Sequence, residues 1–503
     1  MKIESYKKLN DIEQRIIDLI RRYPLDALLI GIRESESKFE PFVRSGISLF
    51  AIRFCSAGPK IEKVQTIRQK ALENIAHLVT LYLLADPITF DQDERKEFSS
   101  SNPVFMVLRL VGHQFPFSLS TFGHHAQPLM LYKKIPNILK GKCPKYTFDI
   151  QSAFLDLNGF SISDFIDVCF IVHSVAVKNY HFTRAYLEKS REKLNVPDEN
   201  TVSKILDSIA GDPEKLSTCY YKFRNDNRKY RMYDLNPLFL FPVVRPWSHN
   251  SRVPYSKDRM IVPVPNLITY RMSTGVYYQL FNEYKSKFSD SFGIIFENYV
   301  GWILEEAVNE EKIVRERTIR KNYSEKLGPV PDFVILDDKS AVLIECKATK
   351  FTRGALVTGK EDYVIDSLKQ LIKGLKQLAK FRKACLDKHP SLDMFHKYKS
   401  LEAVLLTVEP LYLINSVLFR EFVNGELLKE GIPKFEWTIL SITDLEAFQA
   451  HIKAGQNLSA ILKRLKTENF NTVLEELNKI SGKTYQDCCL YKVQNELYKR
   501  IGI

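Results

Sequence analysis

The stretch that most constrains the fold of this chain is residues 331–350, PDFVILDDKSAVLIECKATK. Two apolar runs rich in Val and Ile flank the polar residues DDKS, a pattern that predicts a β-hairpin with a tight turn. Asp332 opens the first strand, and Glu345 and Lys347 lie at the end of the second. Charged residues in such apolar strands need a reason, because charges are rarely buried unless they are paired.

The geometry of a hairpin brings these three charges together. Side chains alternate between the two faces of a strand, so Glu345 and Lys347 share one face and Cys346 points to the other. The antiparallel return sets Asp332 beside the strand end that carries Glu345. We therefore expect two carboxylates and one amine to meet at one edge of an apolar sheet.

Two converging carboxylates repel each other unless a positive charge lies between them. Mg²⁺ prefers oxygen ligands and commonly takes one or two carboxylates together with water and phosphate. Such an ion polarises a phosphate and lowers the pKa of a bound water. Lys347 would hold the attacking water or stabilise the developing charge. The residues predict a phosphodiester hydrolase that uses Mg²⁺ or Mn²⁺.

The order Pro-Asp, twelve residues, Glu-x-Lys resembles the PD-(D/E)xK nuclease superfamily, which includes restriction endonucleases, Holliday-junction resolvases and phage-defence nucleases. The resemblance covers residues 289–445. It implies that Asp332 and Glu345 are metal ligands and that Lys347 is the catalytic lysine. It also implies that the backbone carbonyl of Cys346 is a further metal ligand.

Many members of that superfamily carry a glutamate on the helix before the hairpin, and here the helical segment FGIIFENYVG offers Glu297. The resemblance implies that Glu297 is a catalytic and metal-binding residue. Gly293 and Gly301 lie four residues to either side of it, on the same helical face. This face lacks bulk around the carboxylate, whereas the packing stripe consists of Phe292, Ile295, Phe296, Tyr299 and Ile303.

Basic residues after the motif are candidates for contact with a nucleic-acid backbone. Lys350 and Arg353 belong to a glycine-containing loop, and Lys369 and Lys373 lie on the polar face of a long predicted helix. Gln370 is a candidate because some superfamily members use a glutamine on this helix. An ordinary surface loop and a solvated helix face are the alternatives, and both stay open.

The length of 503 residues predicts two or three domains. We expect a mainly helical recognition or regulatory domain at 1–235, a proline-rich connector at 236–285, the nuclease domain at 286–450 and packed helices at 451–503. The expected fold class is mixed α/β: a restriction-endonuclease-like core, with a small mixed sheet flanked by helices, follows a largely helical N-terminal domain. Within that domain, the apolar runs at 27–32 and 47–54 could be strands.

Composition limits the class of protein. The net charge of +13 permits a polyanionic partner without demanding one. The 8 cysteines form no CxxC pair, so the sequence does not suggest a zinc ribbon or a thioredoxin-type site. Cysteines in apolar runs, such as Cys169, favour reduced thiols in the core and a cytoplasmic location. The N-terminus does not read as a signal peptide, and the longest apolar runs are too short to span a membrane.

We therefore expect a Mg²⁺-dependent DNA endonuclease, since most of the resembled superfamily cuts DNA. A nuclease with a large unfamiliar N-terminal region also resembles bacterial anti-phage defence effectors, which is an analogy of architecture. The chain has no GxxxxGK[ST] motif, so nucleotide hydrolysis would need a separate NTPase. A homodimer would suit cutting of both strands. A catalytically silent nucleic-acid-binding or scaffold subunit and an RNA-cleaving enzyme are the alternatives.

Overall fold

The fold is mixed α/β, with a helical N-terminal region and one five-stranded mixed sheet in the C-terminal half, as the sequence predicts. It is seen in a computed structural model. The residues that the structure describes are 2–54, 67–84, 125–191, 194–224, 234–245, 259–348, 350, 361–411, 414–467 and 485–502. The boundaries of the expected domains stay predictions.

Helices make up most of the chain before the sheet. Those described are α1 (Lys2–Ile20), α2 (Leu25–Glu34), α3 (Pro41–Phe54), α4 (Gln69–Leu84), α5 (Ala126–Leu129), a π-helical turn (Met130–Lys134), α6 (Ile135–Leu139), α7 (Ile150–Asn158), α8 (Ile162–Lys178), α9 (Arg184–Arg191), α10 (Glu199–Ile209), α11 (Pro213–Phe223), a 3₁₀ turn (Pro237–Phe239), α12 (Asn266–Met272) and α13 (Thr274–Ala307). Four short strands lie among them, β1 (Phe182–Thr183) paired with β4 (Arg259–Met260) and β2 (Ala210–Gly211) paired with β3 (Val243–Val244).

The remaining described elements build the sheet and its surroundings. They are a 3₁₀ turn (Glu310–Lys312), β5 (Ile313–Arg315), α14 (Glu316–Ile319), β6 (Phe333–Leu336), β7 (Ser340–Lys347), α15 (Glu361–Leu386), a 3₁₀ turn (Pro390–Phe395), β8 (Ser400–Thr407), α16 (Val417–Lys429), β9 (Trp437–Ser441), α17 (Ile442–Lys453), α18 (Leu458–Thr467), a 3₁₀ turn (Tyr485–Asp487) and α19 (Cys489–Ile501). The strand order is β5-β6-β7-β8-β9. The β5–β6 and β6–β7 pairs are antiparallel, and the β7–β8 and β8–β9 pairs are parallel.

The sheet separates two hydrophobic cores, and this confirms the alternation expected for the hairpin. Val342 and Ile344 of β7 belong to the core that contains α13. Ala341 and Leu343 belong to the opposite core, which contains α15. All five residues of the predicted α13 stripe are fully buried. The two helices therefore sandwich the strand that carries Glu345 and Lys347.

A third core holds the first four helices together with α11 and with residues from 238–244 and 261–267. The possible strands at 27–32 and 47–54 are wrong, because these residues lie within α2 and α3. Nearly every residue at 43–52 is buried, and a helix buried on most sides has the same continuous apolar run as a buried strand. The segment expected to be a connector supplies buried residues to this core, among them Leu238, Val244 and Ile261.

Helix α13 is bent at Lys285, whose φ of 49° and ψ of −122° are not helical. The part after this bend corresponds to the helix that the sequence predicts before the hairpin. Among the described residues, no single helix is long and apolar enough to cross a membrane. One bent pair, α7 with α8 at 68°, passes by length and composition alone, and most residues of α8 are buried against the rest of the protein. No disulfide joins the seven cysteines within the described ranges.

Candidate functional site

The hairpin places Asp332 opposite Glu345. Phe333 pairs with Ile344 in the antiparallel ladder, so the same register extended by one residue sets Asp332 across from Glu345. Opposed residues of an antiparallel pair point to the same face of the sheet. Asp332 is held there by the backbone N–H of Cys346, which donates to Asp332 Oδ2 at 2.7 Å.

Lys347 lies on the same face and is fixed by two acceptors. Its Nζ donates to Glu345 Oε1 at 2.7 Å and to Gln377 Oε1, on α15, at 2.8 Å. An ammonium group has three donors. Within the described residues one donor is left for a water or a phosphate oxygen.

The path of the Lys347 side chain depends on a glycine of α15. A Cβ built on Gly374 would lie 3.0 Å from Lys347 Cε and 3.3 Å from Lys347 Cγ, and 2.5 Å from Leu405 Cδ1. The absence of a side chain at Gly374 therefore lets the lysine stem lie against the helix. Its ammonium reaches Gln377, about one turn further along α15.

Burial and mutual repulsion raise the pKa values of the carboxyl groups. For Glu345 the larger cause is burial and the next is the charge of Asp332. Burial also raises the pKa of Asp332, against the hydrogen bond from Cys346 and the charge of Lys347. Burial, and then Asp332, raise the pKa of Glu297 to about 7. All three groups are disfavoured as anions, which is the condition that a cation at this edge would relieve.

A fourth carboxylate that the sequence reasoning missed lies at this edge. The charge of Glu316, the first residue of α14, raises the pKa values of Asp332, Glu345 and Glu297. Its backbone N–H donates to the carbonyl oxygen of Asp332 at 3.0 Å, and Arg320 Nε donates to its Oε1 at 3.1 Å. The hairpin motif does not indicate Glu316, because Glu316 lies outside the hairpin, directly after the end of β5.

The carboxylate oxygens at this edge include one that is suited to bind a hard divalent cation. Glu345 is 3% exposed, yet its Oε2 atom has no hydrogen-bond partner in the described part of the chain. A buried, unpartnered carboxylate oxygen opposite a second carboxylate suits an ion that accepts few protein ligands, as Mg²⁺ does. Among the described residues no group of three or more His, Cys, Asp or Glu is arranged to hold a metal ion.

Lys350, expected to contact phosphate from a surface loop, lies in the interior. Its side chain is 4% exposed, and its Nζ donates to Glu409 Oε1 at 2.8 Å and to Thr274 Oγ1 at 3.2 Å. The ammonium also lies 4.7 Å from the centroid of the Tyr277 ring. The interpretation of Lys350 as a phosphate contact is therefore wrong for this structure, because its charge is already buried and paired.

The other expected nucleic-acid contacts have separate outcomes. Lys369, Gln370 and Lys373 are exposed on α15, where contact with a ligand stays a prediction. Arg353 lies outside the described residues. The glutamine that contacts Lys347 is Gln377, which lies two turns beyond Gln370 on α15. The sequence feature that marks Gln377 is its position shortly after a glycine inside a long helix.

Comparison of the chain with protein-family models and with curated proteins gives no significant match.

Proposed function

We propose that this protein is a metal-dependent nuclease that hydrolyses phosphodiester bonds, most concretely a DNA endonuclease. The observation that carries the proposal is the buried carboxylate of Glu345, which has one unpartnered oxygen among the described residues, lies opposite Asp332 and accepts a hydrogen bond from Lys347. A charged trio at the edge of an apolar sheet contributes little to a core, so a chemical role accounts for it better.

The chain's own residues have separable roles in this proposal. Asp332 and Glu345 would hold Mg²⁺ or Mn²⁺, with the carbonyl of Cys346 and the carboxylate of Glu297 as further candidates. Bound there, the ion would supply Lewis-acid activation of the phosphate and of a water. The remaining N–H of Lys347 would orient that water or stabilise charge on a phosphate oxygen. Gln377 and Glu345 fix the position of the Lys347 ammonium.

The test is incubation of the purified protein with plasmid DNA in Mg²⁺, in Mn²⁺ and in EDTA. We expect nicking or linearisation with either metal and none in EDTA. Asp332→Ala and Lys347→Ala should each lower the cleavage rate at least about a hundredfold, as loss of a principal charge-stabilising group does. Lys383→Ala removes an exposed lysine of α15 paired with Asp387, and it should cut like the unmodified protein.

Melting temperatures of all variants will distinguish a loss of cutting from a loss of folding. Undiminished cutting by the Lys347 variant would remove the assigned role of that residue. Metal-dependent cutting of RNA but not of DNA would select the RNA-cleaving alternative. Binding of nucleic acid without cutting under any condition would select the catalytically silent subunit. A homodimer, a separate NTPase, a cytoplasmic location and a part in antiviral defence are predictions from the sequence alone.

A further inference from the structure

The N-terminal half contributes an ordered basic loop beside the candidate site. Residues 140–149, KGKCPKYTFD, connect α6 to α7. The ion pair between Lys140 Nζ and Asp149 Oδ2, at 2.7 Å, closes the base of this loop. Asp149 also caps α7 by accepting from the N–H of Gln151 at 3.0 Å. The loop is therefore a defined structure.

The C-terminal end of the loop is fastened to the helix that carries Glu297. The N–H of Phe148 donates to Ser291 Oγ on α13 at 3.3 Å. The ring of Phe148 also packs on Tyr284 of α13, with centroids 4.9 Å apart. Ser291 and Glu297 are six residues apart on one helix, which is about 9 Å along its axis. These contacts bring the loop within reach of the carboxylate cluster.

The side chains of two lysines within this loop make no hydrogen bond and no ion pair among the described residues. Lys142 and Lys145 are both exposed. The charge of Lys145 acts on Glu297, where it opposes the rise in the pKa of that carboxyl group. Within the described residues, a Cβ built on Gly293, one turn before Glu297, has no atom within 4 Å, so the face of α13 is open at this position. A polyanion could therefore approach the site between the loop and α13.

We propose that Lys142 and Lys145 bind the phosphate backbone of the nucleic acid whose phosphodiester bond lies at Asp332 and Glu345. This inference rests on the proposed function and assigns a substrate-positioning role to the N-terminal half. The two ammonium groups make sequence-independent contacts, because a lysine presents a point charge with freely rotating donors. They hold the strand on the α13 side of the sheet edge, whereas Lys347 acts on the α15 side.

The test measures binding in the cleavage-deficient Lys347→Ala protein, so that affinity is read without turnover. Fluorescence anisotropy with a labelled DNA duplex, and with an RNA of the same sequence, gives Kd over a range of salt concentrations. We expect Lys142→Ala/Lys145→Ala to weaken binding severalfold and to lower the slope of log Kd against log salt by about two, roughly one for each lost phosphate contact. Lys142→Arg/Lys145→Arg should restore the slope.

The matched control is Lys178→Ala/Lys204→Ala. These lysines are also exposed and lie on α8 and α10, helices that pack on each other in the N-terminal half. The control should keep the full slope. An unchanged slope in the loop variant would overturn the inference while leaving the proposed function intact. Absence of binding to either nucleic acid by the parent protein would overturn the proposed function, and the inference with it.

Discussion

At the scale of single residues, Lys347 shows how a side chain obtains a role from its neighbours. The motif identifies the lysine, but its position depends on Glu345, Gln377 and the bare backbone of Gly374. A glycine inside a helix costs roughly 1 kcal/mol relative to alanine. Retaining one at Gly374 has a physical reason here, which is the close passage of the lysine stem.

Gly374→Ala tests this reason directly. The added methyl group would displace Lys347 Cε or Leu405 Cδ1, so we expect the cleavage rate to fall roughly tenfold or more, as a small misplacement of a catalytic group can do. Helix propensity would raise the free energy of unfolding by up to about 1 kcal/mol, against the cost of the contact with Leu405. Cleavage kinetics with kcat and KM separated, and urea unfolding, measure the two effects.

Gly425→Ala provides the control for that variant. Gly425 lies inside α16, and a Cβ built there meets no atom of the described residues within 4 Å. This change should stabilise the protein by about the same intrinsic amount and leave cleavage unchanged. Equal cleavage by both alanine variants would show that Gly374 does not position Lys347.

At the scale of elements, the helix that carries Glu297 is held from behind by a buried carboxyl group. Glu446 of α17 is fully buried, and its Oε1 accepts from Tyr299 OH of α13 at 2.6 Å and from Gln127 Nε2 of α5 at 2.8 Å. Burial raises the pKa of Glu446 to about 8. Three helices from distant parts of the chain therefore meet at Glu446, and burial favours the neutral form of its carboxyl group in the folded state.

The consequence is a defined dependence of stability on pH. Between about pH 4.5, the ordinary pKa, and about pH 8, folded Glu446 keeps a proton that the unfolded chain has lost. The folded state binds more protons in this window, so the free energy of unfolding falls as pH rises through it and levels off above it. Glu446→Gln removes this contribution. We expect the variant to lose less stability than the parent between pH 5 and about pH 8 in urea unfolding.

The comparison uses the difference between variant and parent, because other buried carboxyl groups also titrate. Glu421→Gln, an exposed change on α16, serves as the control and should follow the parent at every pH. A Glu446→Gln curve parallel to that of the parent would mean that Glu446 does not carry a proton in the folded state.

At the scale of the whole molecule, Lys350 and Glu409 connect the ends of two parallel strands to the start of α13. Lys350 follows β7, Glu409 follows β8, and both bond to Thr274 at the first turn of α13. Glu409 bears a negative charge at a helix N-terminus, where the helix dipole favours it. The pair therefore fixes the strand ends that carry the candidate site relative to the long helix.

Glu409→Gln should destabilise the protein by on the order of 3 kcal/mol, since it leaves a buried ammonium without its counterion. The double variant Lys350→Met/Glu409→Gln should recover part of this loss, because no uncompensated charge remains. Chemical unfolding of the parent, the two single variants and the double variant gives the coupling between the residues. Additive effects would show that the pair does not interact in solution.

Much of the C-terminal half could be predicted from local patterns. The hairpin and the burial of the α13 stripe follow from periodicity and turn residues, which act over a few neighbours. Errors arose where a continuous apolar run left helix and strand equally acceptable, as at 47–54. The burial of Lys350 could not be predicted either, because no residue near it in the sequence indicates its ion pair with Glu409.

By itself, the sequence determined which groups could do chemistry: Asp332, Glu345 and Lys347 meet because strand alternation and a tight turn are local properties of one short segment. Only the tertiary structure decided what surrounds them. Glu316 of α14 and both Gly374 and Gln377 of α15 reach the site from other elements, and the loop at 140–149 packs on α13. Their positions depend on how the helices pack on both faces of the sheet, and packing is a property of side chains far apart in the chain.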